Sequence, residues 1–525
     1  MRATPVPEVG RALKSIPLCI GLDVGTSSLK VVAVNPHGVV IASGQAEYEF
    51  ESPRPGWAET NPEVWWHCAC AALRQLMALP CVAAGEVTAI GLTGQMHSLV
   101  LVDADDQSTG PALMWNDQRT AAVCDRAVGE LTAERIWQLT GNQMLCGFTA
   151  PKLLWLRDHK PDQLRRARRL MLPKDFIRLR LTGAFHTDVS DASGTLLLDC
   201  GHRRWSTEMC EALAIDASLL PEVFESPTIT SRIHASGAAA TGLPIGTPVC
   251  AGAGDQAAQA VGTGIVNEGS VGCTIGTSGV IFATTNSWRP TPRGVLHSFC
   301  HAIPDRWHLM GVTLCAGGSL QWWRDTMCGD LVARARDRGV DPYELIIAEA
   351  SQAPAGCDGV SFLPYLSGER TPHADSSARG VFLGISNRTT RAHLTRAILE
   401  GVTCSLAEVF ALVGTSGAPA DRVRLSGGGA RSAFWRQMLT DALGIPSAIV
   451  TQPHGAAYGA ALLAGVGVGI WNSVDDATAS IAETDHTSVG SGARAFPHIA
   501  ARYESAYRSL APWFKAAQAT EAHPD

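Results

Sequence analysis

Two short turns of the same composition are the places where this chain could bind phosphate. Gly-Thr-Ser follows an apolar run at Gly25 and again at Gly276, about half of the 525-residue chain apart. Apolar and β-branched residues on both sides of each turn predict two strand–turn–strand hairpins. Such turns expose N–H groups and hydroxyls without Cβ bulk, which suits a phosphate. If the two turns face each other across a cleft, they would hold a polyphosphate between them; the residues concerned are Gly25, Thr26 and Ser27 in the first turn and Gly276, Thr277 and Ser278 in the second. This arrangement predicts a phosphoryl-transfer enzyme.

Two aspartates lie where they could serve that chemistry. Asp23 ends a predicted buried strand one residue before the first turn. Its carboxylate could hold Mg²⁺ beside the phosphates, or it could only stabilise the turn. Asp255 lies between a Gly-rich turn and an Ala-rich helix, whose N-terminus favours the ionised carboxylate. It could accept the proton of a hydroxyl that attacks a γ-phosphate, or it could only cap the helix. Its segment GAGDQA also matches the G-x-G-x-x-A dinucleotide pattern loosely, without an ordered βαβ unit.

Polar residues at two further strand ends suggest a sugar site. Gln95, Met96 and His97 end one predicted strand, and Trp115 and Asn116 follow the next. Their mixture of polar and apolar groups suits a polyol, whose faces alternate between hydroxyl and C–H. Side chains at strand ends are where α/β domains bind ligands, although a single histidine there is often structural.

A third Gly-rich loop suggests a nucleotide site. Within SGGGARS the residues concerned are Gly427, Gly428, Gly429, Ala430 and Arg431. They lie between a predicted strand and a predicted helix, so backbone could approach an adenosine while the helix N-terminus faces a phosphate. The P-loop pattern and the protein-kinase motifs do not occur in this sequence.

Composition limits the class of protein. The chain is 46% hydrophobic and 17% charged, and with its length this composition predicts two large globular domains. Its net charge is −7 and it has no long run of like charges, so the sequence does not support nucleic-acid binding. Fifteen cysteines without C-x-x-C or zinc spacing favour the reducing cytoplasm. Residues 1–17 lack an apolar signal core and are predicted to be an N-terminal extension. The apolar segment 455–471 is shorter than the ~20 residues of a membrane span and is predicted to be a buried helix.

Alternating strands and helices in both halves predict an α/β architecture. Asn61 and Pro62 predict a helix start, and an apolar stripe predicts a long helix over 389–413. The most Gly- and Ala-rich stretch, 242–271, falls near the midpoint. We therefore expect two domains, 18–265 and 266–525.

Ordered motifs over nearly the whole chain resemble a known family. They include GLDVGTSSLK, GQMH, WNDQR, CGFTAPKLLWL, LPKDFIRLRLTG, SDASGT, GDQAAQAVG, FLPYLSGERTPH and SGGGARSAFWRQML. The chain resembles the FGGY carbohydrate kinases of the actin/hexokinase/Hsp70 ATPase superfamily, and within them it is most similar to the xylulokinases. The resemblance implies two ribonuclease-H-like domains with a cleft between them, sugar bound mainly by the first and ATP by the second. The implied reaction is phosphorylation of the terminal hydroxyl of D-xylulose to D-xylulose 5-phosphate.

The resemblance also implies roles for single residues. Asp255 corresponds to the catalytic base and Asp23 to the carboxylate associated with Mg²⁺, with both expected beside the metal. Met96 and His97 correspond to the sugar-contacting pair, and Gln95, Trp115, Asn116 and Gln256 complete the expected sugar site. The two Gly-Thr-Ser turns and the loop from Gly427 to Arg431 correspond to the ATP-binding elements.

This chain departs from the xylulokinase pattern at Gln256, where those enzymes usually have Asn and glycerol kinases have Gln. A kinase of the same family for another ketose or polyol is therefore an alternative. Two further alternatives are a non-catalytic sugar-binding regulator and a chaperone-like ATPase. The presence of both Asp23 and Asp255 argues against the regulator. The segment after about residue 480 is too short for the peptide-binding domain that a chaperone-like ATPase would need. We expect only small molecules as partners, with no nucleic acid or membrane, and a homodimer as the assembly to test.

Overall fold

A computed structural model of the chain describes residues 16–450 and 454–521. The predicted N-terminal extension, residues 1–17, lies almost entirely outside the described residues. Twenty-four strands and eighteen α-helices alternate along the described part of the chain. Both halves contain strands and helices in alternation, which confirms the predicted α/β architecture.

The strands, numbered in chain order, are β1 (Leu18–Val24), β2 (Ser28–Val34), β3 (Val40–Glu47), β4 (Glu59–Thr60), β5 (Val87–Gly94), β6 (Val100–Val102), β7 (Ala112–Leu113), β8 (Arg169–Met171), β9 (His186–Asp188), β10 (Leu198–Asp199), β11 (Arg204–Trp205), β12 (Glu222–Phe224), β13 (Ile229–Arg232), β14 (Pro248–Cys250), β15 (Ala253–Gly254), β16 (Gly269–Ile275), β17 (Gly279–Thr285), β18 (His297–Cys300), β19 (Trp307–Thr313), β20 (Ser361–Leu363), β21 (Val381–Leu383), β22 (Ala420–Ser426), β23 (Ser447–Val450) and β24 (Glu483–Thr487).

The helices are α1 (Pro62–Met77), α2 (Ala121–Leu131), α3 (Ala133–Thr140), α4 (Thr149–His159), α5 (Pro161–Arg166), α6 (Pro173–Thr182), α7 (Val189–Ser193), α8 (Thr207–Ala212), α9 (Ala235–Thr241), α10 (Asp255–Gly262), α11 (Gly317–Met327), α12 (Gly329–Arg338), α13 (Pro342–Ala350), α14 (Arg391–Thr415), α15 (Ala433–Leu443), α16 (Gly455–Gly467), α17 (Val474–Thr478) and α18 (Phe496–Glu521).

Two seven-stranded sheets of similar design organise the molecule. The first has the order β13-β14-β5-β1-β2-β3, with β15 also paired to β5, and the second has the order β18-β19-β17-β16-β22-β23-β24. In each sheet a predicted hairpin, β1–β2 or β16–β17, is antiparallel and its first strand pairs in parallel with a later strand. The repeated Gly-Thr-Ser turns therefore occupy the same position in two similar sheets, as the sequence predicted.

The helices begin where their local sequence predicts. Asn61 accepts a hydrogen bond from the backbone N–H of Glu63 at 3.1 Å, and Pro62 occupies the first position of α1. Helix α14, Arg391–Thr415, confirms the long helix predicted over 389–413, with both ends two residues later. Within the described part, α14 is the one helix long and apolar enough to cross a membrane, and 67% of its apolar window is buried inside the molecule. Its buried residues, among them Ile398, Val402 and Leu406, belong to the hydrophobic core of the second half.

The helix predicted from the apolar segment 455–471 is present and buried as α16. Although it comes late in the chain, α16 packs on β1, β5 and α10 of the first half. The backbones of β5 and α16 lie so close together that a Cβ atom on Gly91 would be 1.8 Å from the carbonyl oxygen of Ala460. The first sheet is therefore completed by a helix from the C-terminal part of the chain.

Candidate active site

Strand β5 brings the two predicted aspartates together. Asp23 on β1 pairs with Thr93 on one side of β5, and Ala253 on β15 pairs with Thr93 on the other side. All these pairings are parallel, so the carboxyl ends of the three strands meet at one edge of the sheet. Asp255 follows β15 directly as the first residue of α10. Two carboxylates 232 positions apart in sequence thus lie at one end of the sheet.

Burial raises the pKa of both carboxyl groups, and Asp23 raises that of Asp255 further. Burial and the negative charge of Asp23 raise the pKa of Asp255 to about 7. Burial raises the pKa of Asp23 to about 6, against the opposing effect of Lys30, its antiparallel partner on β2. Both residues are half-buried at this edge of the sheet. A carboxyl with a pKa near 7 is well matched to accept a proton at neutral pH.

The same pair is suited to a cation. Asp23 Oδ1 is buried and has no hydrogen-bond partner among the described residues. Carboxylate oxygens are the donors that Mg²⁺ prefers, and Mg²⁺ usually takes one or two of them and keeps several waters. The described residues include no group of three or more His, Cys, Asp or Glu side chains arranged to hold a metal. The donors present fit Mg²⁺ held by two carboxylates, water and phosphate.

Side chains from neighbouring strands hold the first turn, Gly25 to Ser27. The carbonyl of Gly25 accepts hydrogen bonds from Tyr48 Oη at 2.5 Å and from Gln95 Nε2 at 3.0 Å. Trp115 Nε1 donates to Thr26 Oγ1 at 2.9 Å. The side-chain NH₂ of Gln95 and the indole N–H of Trp115 therefore donate to the turn and do not point to a sugar. A sugar could contact only the other atoms of these two side chains.

Met96 and His97 turn in different directions next to the aspartates. Met96 packs against Gly254, where a Cβ atom would lie 2.8 Å from Met96 Cγ. His97 has a φ of 69°, and its Nδ1 lies 2.7 Å from the carbonyl of Gly194. Burial lowers the pKa of His97 to about 3, so the ring is neutral, Nδ1–H donates and Nε2 is left as an acceptor. Nearby, the buried Asn116 Oδ1 has no hydrogen-bond partner among the described residues.

The second turn opens on a cavity of about 940 Å³, ample for a nucleotide. Helix α11 starts on this turn, with the N–H of Gly317 donating to the carbonyl of Gly276 at 2.8 Å. The lining includes the predicted residues Gly276, Thr277, Gly428, Gly429 and Arg431, together with Gln321, Asp341, Tyr343, Glu344 and Phe434. Gly427 lies behind the lining, against the backbone of Ile275, and Ala430 is buried.

Sequence reasoning named the motif SGERTPH but missed the role its arginine can play. The guanidinium of Arg370 lies 6.0 Å from the Trp115 ring and close to Gly147, on the sugar side of the site. Among the described residues it has no hydrogen-bond acceptor for its side chain. Glu369 fixes the loop by accepting from Thr313 Oγ1 at 2.5 Å and from the N–H of Leu314 at 3.0 Å. The sequence signal was the pair Glu369–Arg370: two adjacent charged residues of opposite sign inside the motif SGERTPH.

Two family models match the chain over most of its length. The N-terminal domain of the FGGY family of carbohydrate kinases matches residues 18–262, and the C-terminal domain of the same family matches residues 271–468. The chain belongs to the FGGY family of carbohydrate kinases, and its fold is that family's two-domain, actin/hexokinase-like ATPase fold. It is therefore a sugar kinase, an enzyme whose substrates are a small-molecule sugar and ATP.

Individual relatives agree with this assignment. The chain is 41% identical to the xylulose kinase of Escherichia coli (strain K12), over 81% of this chain and 84% of the relative. It is 38% identical to the xylulose kinase of Bacillus subtilis (strain 168), over 87% and 89%. A crystal structure described as a "xyloylose kinase" from Brucella ovis superposes with a TM-score of 0.85 at 34% identity, covering 94% of this chain and 99% of that one.

Proposed function

We propose that this enzyme phosphorylates D-xylulose at its terminal hydroxyl, giving D-xylulose 5-phosphate and ADP, with Asp255 as general base. The observation that carries the proposal is the placement of two carboxyl groups at one edge of the first sheet: Asp23 on β1 pairs with Thr93 of β5, and Asp255 directly follows β15 on the other side of β5. The similarity to xylulose kinases over most of the chain supports the choice of sugar.

The proposed chemistry follows from the positions of the side chains. Asp255, ionised, accepts the proton of the attacking hydroxyl. His97 Nε2 and Asn116 Oδ1 accept hydrogen bonds from sugar hydroxyls, and Arg370 donates to sugar oxygens. Met96 packs on the C–H face, and Gln256 lies beside the reacting end.

The nucleotide occupies the second half of the site. The turns at Gly25 and Gly276 donate backbone N–H groups to the phosphates, and the loop from Gly427 to Arg431 lies beside the nucleoside. Asp23 and Asp255 would hold Mg²⁺, which neutralises charge on the phosphates when bound. We also propose that residues 18–265 form the sugar-binding domain and residues 266–525 the nucleotide-binding domain.

A coupled assay of ADP release tests the substrate. D-Xylulose, D-ribulose, L-ribulose and glycerol are compared at equal ATP, and the highest kcat/KM is expected for D-xylulose. A higher value for another ketose or polyol would support the alternative that Gln256 suggests. Heat stabilisation by a sugar without ADP release from any of them would instead support a non-catalytic regulator.

We propose a cytoplasmic enzyme, and a homodimer is the assembly to test. All fifteen cysteines are free, eleven of them buried, which suits a reducing compartment. Light scattering of the purified protein measures the assembly directly, and a mass of about 55.5 kDa, that of one chain, would contradict the dimer.

A further inference from the structure

A fully buried cluster of charges lies behind the active-site end of the first sheet. Lys174 Nζ lies 2.6 Å from Asp175 Oδ1, 3.0 Å from Asp188 Oδ1 and 3.4 Å from Asp191 Oδ2. Lys174 and Asp175 belong to the motif LPKD, Asp191 belongs to SDASGT, and Asp188 lies two residues before SDASGT; the proposed chemistry gives none of them a role. Burying ions costs free energy that attraction alone often does not recover. Such a cluster therefore calls for a reason beyond stability.

The cluster is connected to the backbone that carries Asp255. Asp188 Oδ2 caps α7 by accepting from the backbone N–H of Ser190 at 2.8 Å and from its hydroxyl at 2.5 Å. The same hydroxyl oxygen accepts a hydrogen bond from the N–H of Gly254 at 3.1 Å. Gly254 is the residue immediately before Asp255. A continuous chain of contacts thus runs from Lys174 to the start of α10.

The other end of α7 reaches the second half of the molecule. Ser193 Oγ, one turn after Ser190, accepts a hydrogen bond from the N–H of Cys300 at 3.0 Å. Cys300 ends β18, the edge strand of the second sheet. One short helix therefore touches both the backbone before Asp255 and the sheet of the other half.

We propose that Ser190, held by Asp188 and Lys174, is a positioning residue that sets the backbone of Gly254 and hence the aim of Asp255. The proposal rests on the proposed role of Asp255 as the base. A catalytic group displaced by about 1 Å can lose roughly 100-fold in rate, while substrate binding elsewhere is unaffected. Ser190 touches neither substrate in this scheme; it acts through the base.

The chain supplies a matched control. Ser226 Oγ also donates to Asp188 Oδ2, at 3.0 Å, and both serines are fully buried. Only Ser190 binds Gly254. Ser190→Ala and Ser226→Ala each remove one hydrogen bond to the same carboxylate oxygen, and Ser190→Ala also removes the bond from Gly254, so both variants should lose Tm and Ser190→Ala should lose more.

The test is steady-state kinetics of both variants with D-xylulose and ATP. For Ser190→Ala we expect kcat to fall by at least about tenfold with both KM values within about twofold of wild type. For Ser226→Ala we expect kcat within about twofold. If Ser190→Ala is too unstable to purify, Ser190→Cys, which keeps the size and a weak acceptor, should give an intermediate kcat.

Equal kcat values in the two alanine variants would overturn the inference, as would a loss expressed in KM alone. Asp255→Asn in the same assay separates the inference from the proposal beneath it. If Asp255→Asn retains kcat, the base assignment itself is wrong. If Asp255→Asn is inactive while Ser190→Ala works at the wild-type rate, only the positioning role fails.

Discussion

At the scale of single residues, Asp255 carries the proposed chemistry. It is the first residue of α10, after the N-cap Gly254, and it makes no side-chain capping hydrogen bond. Its alternative role is therefore an effect of its charge on the helix N-terminus, and the two roles predict different results. For Asp255→Ala we expect a folded protein that still gains Tm on adding D-xylulose but loses about 10²–10⁴-fold in kcat. Asp216→Ala, which removes an exposed cap of a 3-10 turn, is the control and should keep full activity. A near-normal kcat for Asp255→Ala would contradict the base role and leave only the effect of its charge on the helix N-terminus.

Arg370 should act on sugar binding. Burial lowers the pKa of Arg370, and its side chain has no acceptor among the described residues, so sugar oxygens are its expected partners. For Arg370→Gln we expect the KM for the sugar to rise about 10- to 100-fold, because a hydrogen bond from a charged group contributes about 1.5–3 kcal/mol. The KM for ATP should change little.

Arg379, in the same loop, provides the control. It is exposed and donates to backbone carbonyls of Ser376 and Ala378, so Arg379→Gln should leave the KM for the sugar unchanged. A rise confined to the KM for ATP in Arg370→Gln would place the guanidinium on the nucleotide instead.

At the scale of elements, the packing of α16 on β5 is tested at Gly91. A methyl group there would overlap the carbonyl of Ala460, and neither backbone can move without disturbing the sheet. We expect Gly91→Ala to lower the free energy of unfolding by at least about 1–3 kcal/mol, measured by denaturant titration. Gly414→Ala is the control, since that glycine lies in α14 with open space around it; it should be neutral or stabilising by up to about 1 kcal/mol. Equal stability of the two variants would contradict this account of the contact.

Local elements were predictable because short-range patterns specify them. The hairpin strands alternate around a Gly-Thr-Ser turn, and Asn61 with Pro62 starts α1 as their chemistry requires. The use of Gln95 and Trp115 on the turn was not predictable, because side-chain direction at a strand end depends on what packs above it. Arg370 was missed for a similar reason, since its loop meets the sugar side only after the two halves have assembled.

At the scale of the whole molecule, buried histidines lie in a core shared by both halves. His301 and His308 are fully buried beside Phe282, and the His308 ring stacks on the Phe282 ring at 4.2 Å. Phe282 and Phe299 of the second sheet belong to the same hydrophobic cluster as Met96 and Phe148 of the first half. Burial lowers the pKa of His301 to about 3, with Arg306 and Arg203 acting in the same direction.

A neutral buried histidine makes stability depend on pH. The unfolded chain takes up a proton below about pH 6.5, whereas folded His301 stays neutral until about pH 3. The contribution of His301 is therefore complete above pH 6.5 and is lost as the pH falls toward 3, by about 1.4 kcal/mol for each pKa unit. Carboxyl groups with raised pKa values, among them Glu369 at about 7 and Glu408 at about 8, act in the opposite direction. Only a comparison of variants isolates the histidine.

We expect His301→Gln to lose less Tm than wild type between pH 6.5 and pH 5, measured by thermal unfolding. His37→Gln, at an exposed site, should follow the wild-type curve. Parallel curves for His301→Gln and wild type would show that this ring takes up its proton equally well in both states.

The sequence by itself determined the two hairpins with their phosphate-type turns, the helix starts and the residue types of the site, since each depends on neighbours a few positions away. Only the tertiary structure decided that Asp23 and Asp255 lie at the same edge of the first sheet, on either side of β5, that a late helix packs on that sheet, and that Ser190 contacts the backbone before the base. These contacts join residues separated by tens to hundreds of positions. These contacts depend on the order of the strands and on the packing of the elements, and neither can be read from a local sequence pattern.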